Sequence, residues 1–593
     1  MKDLHRREFL AQLPCALTVV GLLPQLANAA SHSPAAGDGC WLEITAPFIV
    51  EDPTLGIRSE IVLTSDTFSG KTGYEDGADQ TEYEVCLFDI GGKGLSSDGV
   101  TKRLAVPAMH TTVIPLKDVL PEGQAFAGGL KVRLRPKTRT PMHASDLFSS
   151  GFVRWTTEHS FDNVHANPDP IQWQRADSFF YSMPFPPLKE YECYFCVFNP
   201  YAERSYGELA LNDPMGKVIK KLYYDLKGRS SLLLDLRAGE FVKDVADAIL
   251  PQAKSDDKKR LTDTGGTISL TNESGAVKSF GYLYIKREGG KRFSIDHPIH
   301  QSPFKPAPLS VPFDDAGKFK AKNILYTPLV FRSKKIGGIT LNSRFHLSSG
   351  APIEEALWIN PYVTDRDGEV PWQMFTDDKL RAGFPMKQIE KNVVKLGGRE
   401  SVMFDASEMA LVNDFSGAMS LAISPTSNHT LMKIEVRVPE WGAFAFTHFR
   451  PGLGAAHNYQ KPAQRGGLGT DYITTGARLE RTGRKMIKDE VVCVINVEGE
   501  PGDPMLEVFG NSGLVARLPL GAIPAFASRH FLLSELTNKP LAEGYMTLRL
   551  VDAKATLLMS LVHIDYERKD IALDHGSDRF STFQEFTCGG TPT

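Results

Sequence analysis

The 593-residue sequence lacks the local motifs that identify the common enzyme classes. It contains no H-E-x-x-H zinc motif, no G-x-S-x-G nucleophile motif, no P-loop, no haem-attachment C-x-x-C-H and no dinucleotide glycine fingerprint. Catalytic triads are assembled from distant residues, so this lack weakens the case for an enzyme without excluding one. We therefore assign no catalytic residue and no cofactor-binding residue from the sequence.

The sequence also lacks a basic stripe and any long run of like charge. It carries 67 Lys and Arg against 71 Asp and Glu, a formal net charge of −4, with a pI near 6.5. Nucleic acid is therefore not expected as a partner. After the first thirty residues no stretch approaches the ~20 apolar residues of a membrane-spanning helix, so the mature chain is predicted to have no transmembrane segment.

The first 29 residues have the pattern of an export signal. Arg6 and Arg7 form a twin-arginine pair, an apolar stretch covers residues 13–26, and Ala27 and Ala29 offer a small-residue cleavage site. This order is typical of a Tat-type signal peptide, predicted here as residues 1–29. We expect the mature protein in the periplasm or outside the cell.

Four apolar runs recur along the chain, and each runs into an Asn or Asp. They are 86–89 (CLFD), 195–201 (FCVFNPY), 357–362 (LWINPY) and 493–496 (CVIN). An apolar run closed by a turn-forming residue suits a strand that is buried on both faces. We expect Cys86, Cys196, Leu357 and Cys493 to occupy equivalent positions in one central strand. A Cys that exchanges with Leu indicates a small core hydrophobe rather than a disulfide or metal ligand.

Further segments repeat in the same order after each run. Asp235 and Asp405 end matching apolar strands, and four glycines each precede an alternating strand: Gly129, Gly266, Gly417 and Gly544. Period-2 alternation between turns is typical of antiparallel β-sandwiches. The sequence predicts an all-β protein of four tandem Ig-like β-sandwich repeats, at residues 38–170, 171–305, 306–455 and 456–593. Pro- and Gly-rich linkers, such as 168–188, are predicted between them.

A histidine closes each predicted repeat: His165, His297, His448 and His575. Asp296 and Asp574 each precede one of them, which is compatible with a metal site or an oriented base. A residue type repeated in every unit usually serves the fold, so we interpret these histidines as structural, with metal binding as the alternative. Proline-rich linkers favour an extended chain of repeats, in which the four histidines would lie far apart.

Two acidic loops suggest calcium as a second candidate ligand, although no cofactor is predicted. The loops are 75–79 (EDGAD) and 365–369 (DRDGE), and both supply oxygen ligands on a turn. Neither completes an EF-hand loop, and an ordinary Asp-Gly turn accounts for the second.

These patterns favour a non-enzymatic protein of the cell envelope that binds a protein or polymer partner, or supports assembly. Tandem sandwiches present many loops for contact. The alternative is a periplasmic enzyme that acts on a glycan or another polymer through one sandwich, with the others as accessory domains.

Overall fold

The protein is built almost entirely from β-strands. The computed structural model describes residues 41–593 except 66–79, 98, 108–109, 137–150, 166, 169–178, 244–259, 275–279, 288–290, 298–322, 350–356, 369–385, 391–392, 410, 425–429, 449, 452–469, 498–499, 512, 538–540, 542–543, 576 and 579–593. In these residues the only helices are three 3₁₀ turns, at Leu116–Asp118, Ala406–Glu408 and Leu533–Glu535. No helix in this part of the chain has the length and apolarity needed to cross a membrane. The predicted all-β sandwich class is confirmed.

The first pair of sheets uses residues 42–168. Strands β1 to β9 are Leu42–Glu51, Arg58–Thr64, Gln80–Asp89, Lys102–Pro107, Thr111–Pro115, Phe126–Pro136, Gly151–Thr156, Phe161–His165 and Asn167–Pro168. One sheet has the order β4-β3-β6-β1-β9 and the other β5-β2-β7-β8, with antiparallel pairing throughout.

The second pair uses residues 179–296. Strands β10 to β18 are Phe179–Phe185, Tyr191–Phe198, Ser205–Asn212, Val218–Leu226, Ser231–Asp235, Glu240–Phe241, Gly266–Asn272, Phe280–Arg287 and Phe293–Asp296. The sheets are β10-β16-β12-β13 and β15-β14-β11-β17-β18. Met183 and Leu209 of the first sheet share one buried cluster with Phe195 and Leu283 of the second, so the core lies between the two sheets. Phe179–Phe185 is therefore a strand of this sandwich, whereas the sequence placed it in a linker.

The third and fourth pairs follow the same plan. Strands β19 to β29 are Asn323–Arg332, Lys334–Ile336, Ile339–Ser349, Leu357–Thr364, Met386–Glu390, Val393–Leu396, Ser401–Asp405, Phe415–Ser424, Thr430–Val438, Ala443–His448 and Arg450–Pro451. Strands β30 to β39 are Thr470–Arg478, Glu480–Thr482, Lys485–Asn496, Met505–Gly510, Gly513–Pro519, Ser528–Leu532, Tyr545–Asp552, Leu557–Asp565, Asp570–His575 and Ser577–Asp578. The third pair is β23-β24-β22-β26-β19-β29 and β20-β21-β27-β28, and the fourth is β34-β33-β36-β30-β39 and β31-β32-β37-β38.

The strand order corrects the predicted equivalence of the four apolar runs. Cys86 in β3 and Leu357 in β22 belong to the sheet that contains the first strand of its sandwich. Cys196 in β11 and Cys493 in β32 belong to the opposite sheet. Each of these strands has a neighbour on both sides in its sheet, so their local patterns are alike. The prediction that all four residues share one strand position is wrong.

Other repeated segments do occupy equivalent strands. Asp235 pairs with Tyr194 at the end of β14, and Asp405 pairs with Arg344 at the end of β25. In both sandwiches this short strand lies beside the second long strand. The equivalence of the two aspartates is confirmed.

The four sandwiches contact one another head to tail and close into a ring. The first strand of each sandwich packs on the second sheet of the next: β1 on β11 and β17, β10 on β21 and β27, and β19 on β32 and β37. The fourth contact returns to the start of the chain, because β30 lies against β7 and β36 against β5. Repetition of one head-to-tail contact generates a ring when the rotation closes. The predicted extended arrangement is therefore wrong.

The closing contact between the first and last sandwiches is buried and partly polar. Phe152 and Tyr545 meet edge to face with ring centroids 6.0 Å apart. The Arg154 guanidinium lies 4.8 Å from the Tyr545 ring and donates to the Gly476 carbonyl at 3.1 Å. The Tyr545 hydroxyl in turn donates to the Glu60 carboxylate. These bonds join residues from opposite ends of the chain.

Candidate metal centre

One edge strand from the second sheet of each sandwich lines the centre of the ring. Strand β8 contacts β18, β18 contacts β28, β28 contacts β38, and β38 contacts β8. The four candidate histidines end these strands or directly follow them, and all are buried: His165 (7% exposed), His297 (3%), His448 (5%) and His575 (7%). The structure thus brings together the residues that the sequence predicted to be far apart.

The four imidazole rings form a square. Neighbouring ring centroids are 4.2 Å (His165–His297), 4.4 Å (His297–His448), 4.4 Å (His448–His575) and 4.6 Å (His575–His165) apart. The two diagonals are 6.3 Å (His165–His448) and 6.2 Å (His297–His575). Neighbouring rings are nearly perpendicular, with interplanar angles of 75–82°.

The Nε2 atoms of neighbouring histidines meet in two close pairs. Nε2 of His165 lies 2.6 Å from Nε2 of His297, and Nε2 of His448 lies 2.9 Å from Nε2 of His575. Donor atoms of His165, His297 and His575 all lie within 4.8 Å of one another. Such a convergence of nitrogen donors is suited to one transition-metal ion.

Carboxylates lie behind two of the rings, and that of Asp296 is within hydrogen-bonding distance. Oδ1 of Asp296 lies 3.0 Å from Nδ1 of His448, and Oδ1 of Asp574 lies 3.8 Å from Nδ1 of His165. A proton held on Nδ1 by a carboxylate leaves the Nε2 lone pair free, which is how metal-binding histidines are commonly oriented. Each Asp-His dipeptide therefore supplies its histidine to one corner and its carboxylate to the next.

The sequence singled out both Asp-His dipeptides but could not pair them correctly. Adjacent residues on a strand point to opposite sides, so Asp296 cannot orient His297. It orients His448 of the following sandwich instead. The partner lies 152 residues away in sequence, and no local pattern indicates it.

Lys433 is a functional candidate that sequence reasoning missed. Its ammonium forms an ion pair with Asp296, and both side chains are buried. Burial alone would raise the pKa of Asp296, but Lys433 and His448 outweigh this effect and lower that pKa to about 2. Burial also lowers the pKa of Lys433, against the attraction of Asp296. The sequence carries little signal for this role, because Lys433 alternates with apolar residues in Thr430–Val438 as an exposed lysine would.

Side-chain hydrogen bonds fix the closing strands against one another. Ser294 Oγ donates to Asp162 Oδ2 at 2.6 Å, and Phe446 N donates to Ser294 Oγ at 2.9 Å. Between the last and first sandwiches, Ser160 Oγ donates to Asp570 Oδ2 at 2.6 Å. Burial raises the pKa of Asp162, and it raises that of Asp570 to about 7. This network fixes the strands that carry the histidines.

The described cysteines are buried free thiols: Cys86, Cys193, Cys196 and Cys493. Burial raises the pKa of each thiol, that of Cys86 to about 11. The thiols therefore stay protonated at neutral pH, as expected for core hydrophobes. Cys40 and Cys588 lie outside the described residues.

The second acidic loop forms a simple turn. The Asp365 carboxylate accepts from the Asp367 amide at 2.8 Å, and Gly368 has a φ of +83°, which glycine readily adopts. The first acidic loop, the signal residues Arg6, Arg7, Ala27 and Ala29, and Glu369 lie outside the described residues.

Comparisons with known proteins assign no family to this chain. No protein-family model matches the sequence, and no curated protein matches it significantly. Among solved structures, a glycoside hydrolase family 32 protein from Bifidobacterium adolescentis is similar at 9% identity, covering 86% of this chain and 99% of that one, with a TM-score of 0.12. A TM-score of this size does not indicate a common fold.

Proposed function

We propose that this chain is an exported, non-enzymatic metal-binding protein of the cell envelope, in which four histidines hold one transition-metal ion at the centre of a ring of β-sandwiches. The observation that carries the proposal is the inward convergence of His165, His297, His448 and His575.

Buried imidazole nitrogens need partners. The nitrogens of each close pair, 2.6 and 2.9 Å apart, can share one proton when no ion is bound. A cation at the centre accepts all four lone pairs at once. The carboxylates of Asp296 and Asp574 behind the rings partly balance its charge.

The ion would link the four sandwiches to one another. Each ligand comes from a different sandwich, so binding favours the closed ring over any open form of the chain. A closed ring of sandwiches with many surface loops is suited to binding a protein or polymer partner or to supporting assembly. The twin-arginine pattern at Arg6 and Arg7 supports an envelope location.

Elemental analysis of the purified mature protein tests this proposal. We expect about one equivalent of a transition metal per chain, lost in His297→Ala and in His448→Ala. His530→Ala is the matched control, since this half-buried histidine of β35 donates to the Pro328 carbonyl of β19. Strand β35 lies at the opposite edge of the sheet from β38. The proposal would be refuted if the wild-type protein held no stoichiometric metal, or if both His297→Ala and His448→Ala retained it.

A further inference from the structure

We infer that the ion is copper(II), held in one plane by four imidazole nitrogens. The inference rests on the proposed metal site and adds the identity and geometry of its ion. It depends on the shape and size of the square, which are separate observations from the convergence itself.

The shape is that of a planar rather than a tetrahedral site. In a tetrahedron all six separations between four ligands are equal. Here four ring separations are 4.2–4.6 Å and two are 6.2–6.3 Å. The long separations are about 1.4 times the short ones, which is the ratio of diagonal to edge in a flat square.

The size matches metal–imidazole bonds. Each ring centroid lies about 3.1 Å from the centre of the square, and a ring nitrogen lies about 1.1 Å from its centroid, which leaves a bond of about 2.0 Å. Adjacent nitrogens of a planar site with such bonds are about 2.8 Å apart, against about 3.3 Å in a tetrahedral site. The observed Nε2 separations of 2.6 and 2.9 Å are close to the planar value.

The planar geometry selects among the ions that bind imidazole. Zinc in closed four-ligand sites is almost always tetrahedral. Square-planar nitrogen ligation is typical of copper(II) and nickel(II), and copper(II) binds more tightly of the two. The ligand set contains no thiolate or thioether, the soft donors that favour copper(I).

The carboxylates behind the rings distinguish the His165–His448 diagonal of the square from the other diagonal. Oδ1 of Asp296 is within hydrogen-bonding distance of Nδ1 of His448, and the Asp574 carboxylate lies 3.8 Å from Nδ1 of His165, at the other end of the same diagonal. Carboxylates that accept from Nδ1 make the opposite nitrogen a stronger donor. His448 is therefore expected to be the stronger donor on this diagonal, and loss of the Asp296 carboxylate should weaken binding without changing the four nitrogen ligands.

Competitive loading of the intact protein tests the identity of the ion. Purified protein is dialysed against Cu²⁺ alone, Zn²⁺ alone, or Cu²⁺ with a tenfold excess of Zn²⁺. We expect one copper per chain in the mixture, and an electron paramagnetic resonance spectrum of tetragonal Cu(II) with coupling to four nitrogens. Asp296→Asn should keep this spectrum and lose 10–100-fold in affinity, a range typical of outer-contact changes. His530→Ala should change neither.

The outcomes separate the two proposals. One equivalent of zinc that copper does not displace, or a spectrum of a tetrahedral copper site, would overturn the copper inference and leave the metal site standing. Binding of neither ion by a folded wild-type protein would overturn both. If His297→Ala fails to fold, the Asp296→Asn affinity still tests the assignment, because an unchanged affinity contradicts it.

Discussion

Nε2 of His165 and Nε2 of His297 lie 2.6 Å apart although 132 residues separate them in the chain. Each histidine belongs to its own sandwich, so this contact exists only because successive sandwiches turn the edge strands β8, β18, β28 and β38 towards one axis. The same relationship joins His448 and His575 at 2.9 Å. The centre of the ring is therefore a shared structure that no single sandwich contains.

Removal of the ion should destabilise the ring. A ligand held at a thousand times its Kd stabilises the folded state by about 4 kcal/mol, so a strong chelator should lower the wild-type Tm by several degrees. His448→Ala, which lacks one corner, should have a lower Tm at the outset and should not respond to chelator. Calorimetry with and without chelator measures both effects. If chelator lowered the Tm of both proteins equally, the ion would not be what stabilises the ring.

The ion pair of Asp296 and Lys433 should show strong coupling. Asp296→Asn leaves a buried ammonium without its carboxylate, and Lys433→Met leaves a buried carboxylate without its ammonium. Each should cost on the order of 3–5 kcal/mol. The double variant should cost clearly less than the sum, because no unpaired charge remains. Urea unfolding in the presence of chelator measures the cycle free of metal effects. Additive losses would show that the pair contributes no net interaction.

Asp570 should make stability depend on pH. Its folded pKa is about 7, against an ordinary value of 3.8. Because the folded state binds the proton more tightly, this contribution is fully present below pH 3.8 and is lost as the pH rises through about 7. Wild type should therefore lose up to a few kcal/mol between pH 5 and 8 relative to Asp570→Asn. Unfolding free energies of both proteins over this range test it, and parallel curves would refute it.

Arg154 should hold the ring closed. Its guanidinium is buried between the first and last sandwiches and bonds the Gly476 carbonyl. Arg154→Ala should cost on the order of 2–4 kcal/mol and, in chelator, increase the radius of gyration measured by X-ray scattering. Arg204→Ala is the control, because Arg204 forms an exposed pair with Asp225 and should change neither quantity. An unchanged radius at reduced stability would mean that Arg154 supports its own sandwich only.

Replacement of Arg6 and Arg7 by lysines should retain the protein in the cytoplasm, because the Tat receptor reads the arginine pair. Cell fractionation and immunoblotting compare the variant with wild type. A variant that changes Lys2 to Arg, outside the pair, is the matched control and should be exported. Normal export of the double-lysine variant would indicate the general secretory route.

Local sequence determined the strand content and the residues of the centre. Alternating and fully apolar runs between turn residues predicted strands, since side chains on a strand point to opposite faces in turn. The recurrence of a histidine at the end of each unit identified His165, His297, His448 and His575 by number. These features depend only on neighbours within a few residues.

Tertiary structure decided which sheet each strand joins and how the sandwiches are arranged. Cys86 and Cys196 lie in similar apolar runs, but they enter opposite sheets because burial on both faces leaves the same pattern in either. Asp296 meets His448, and β30 meets β7, through contacts across whole sandwiches. The ring closes only because the rotations between successive sandwiches at all four interfaces together bring the last sandwich back to the first. No single stretch of sequence specifies these four rotations.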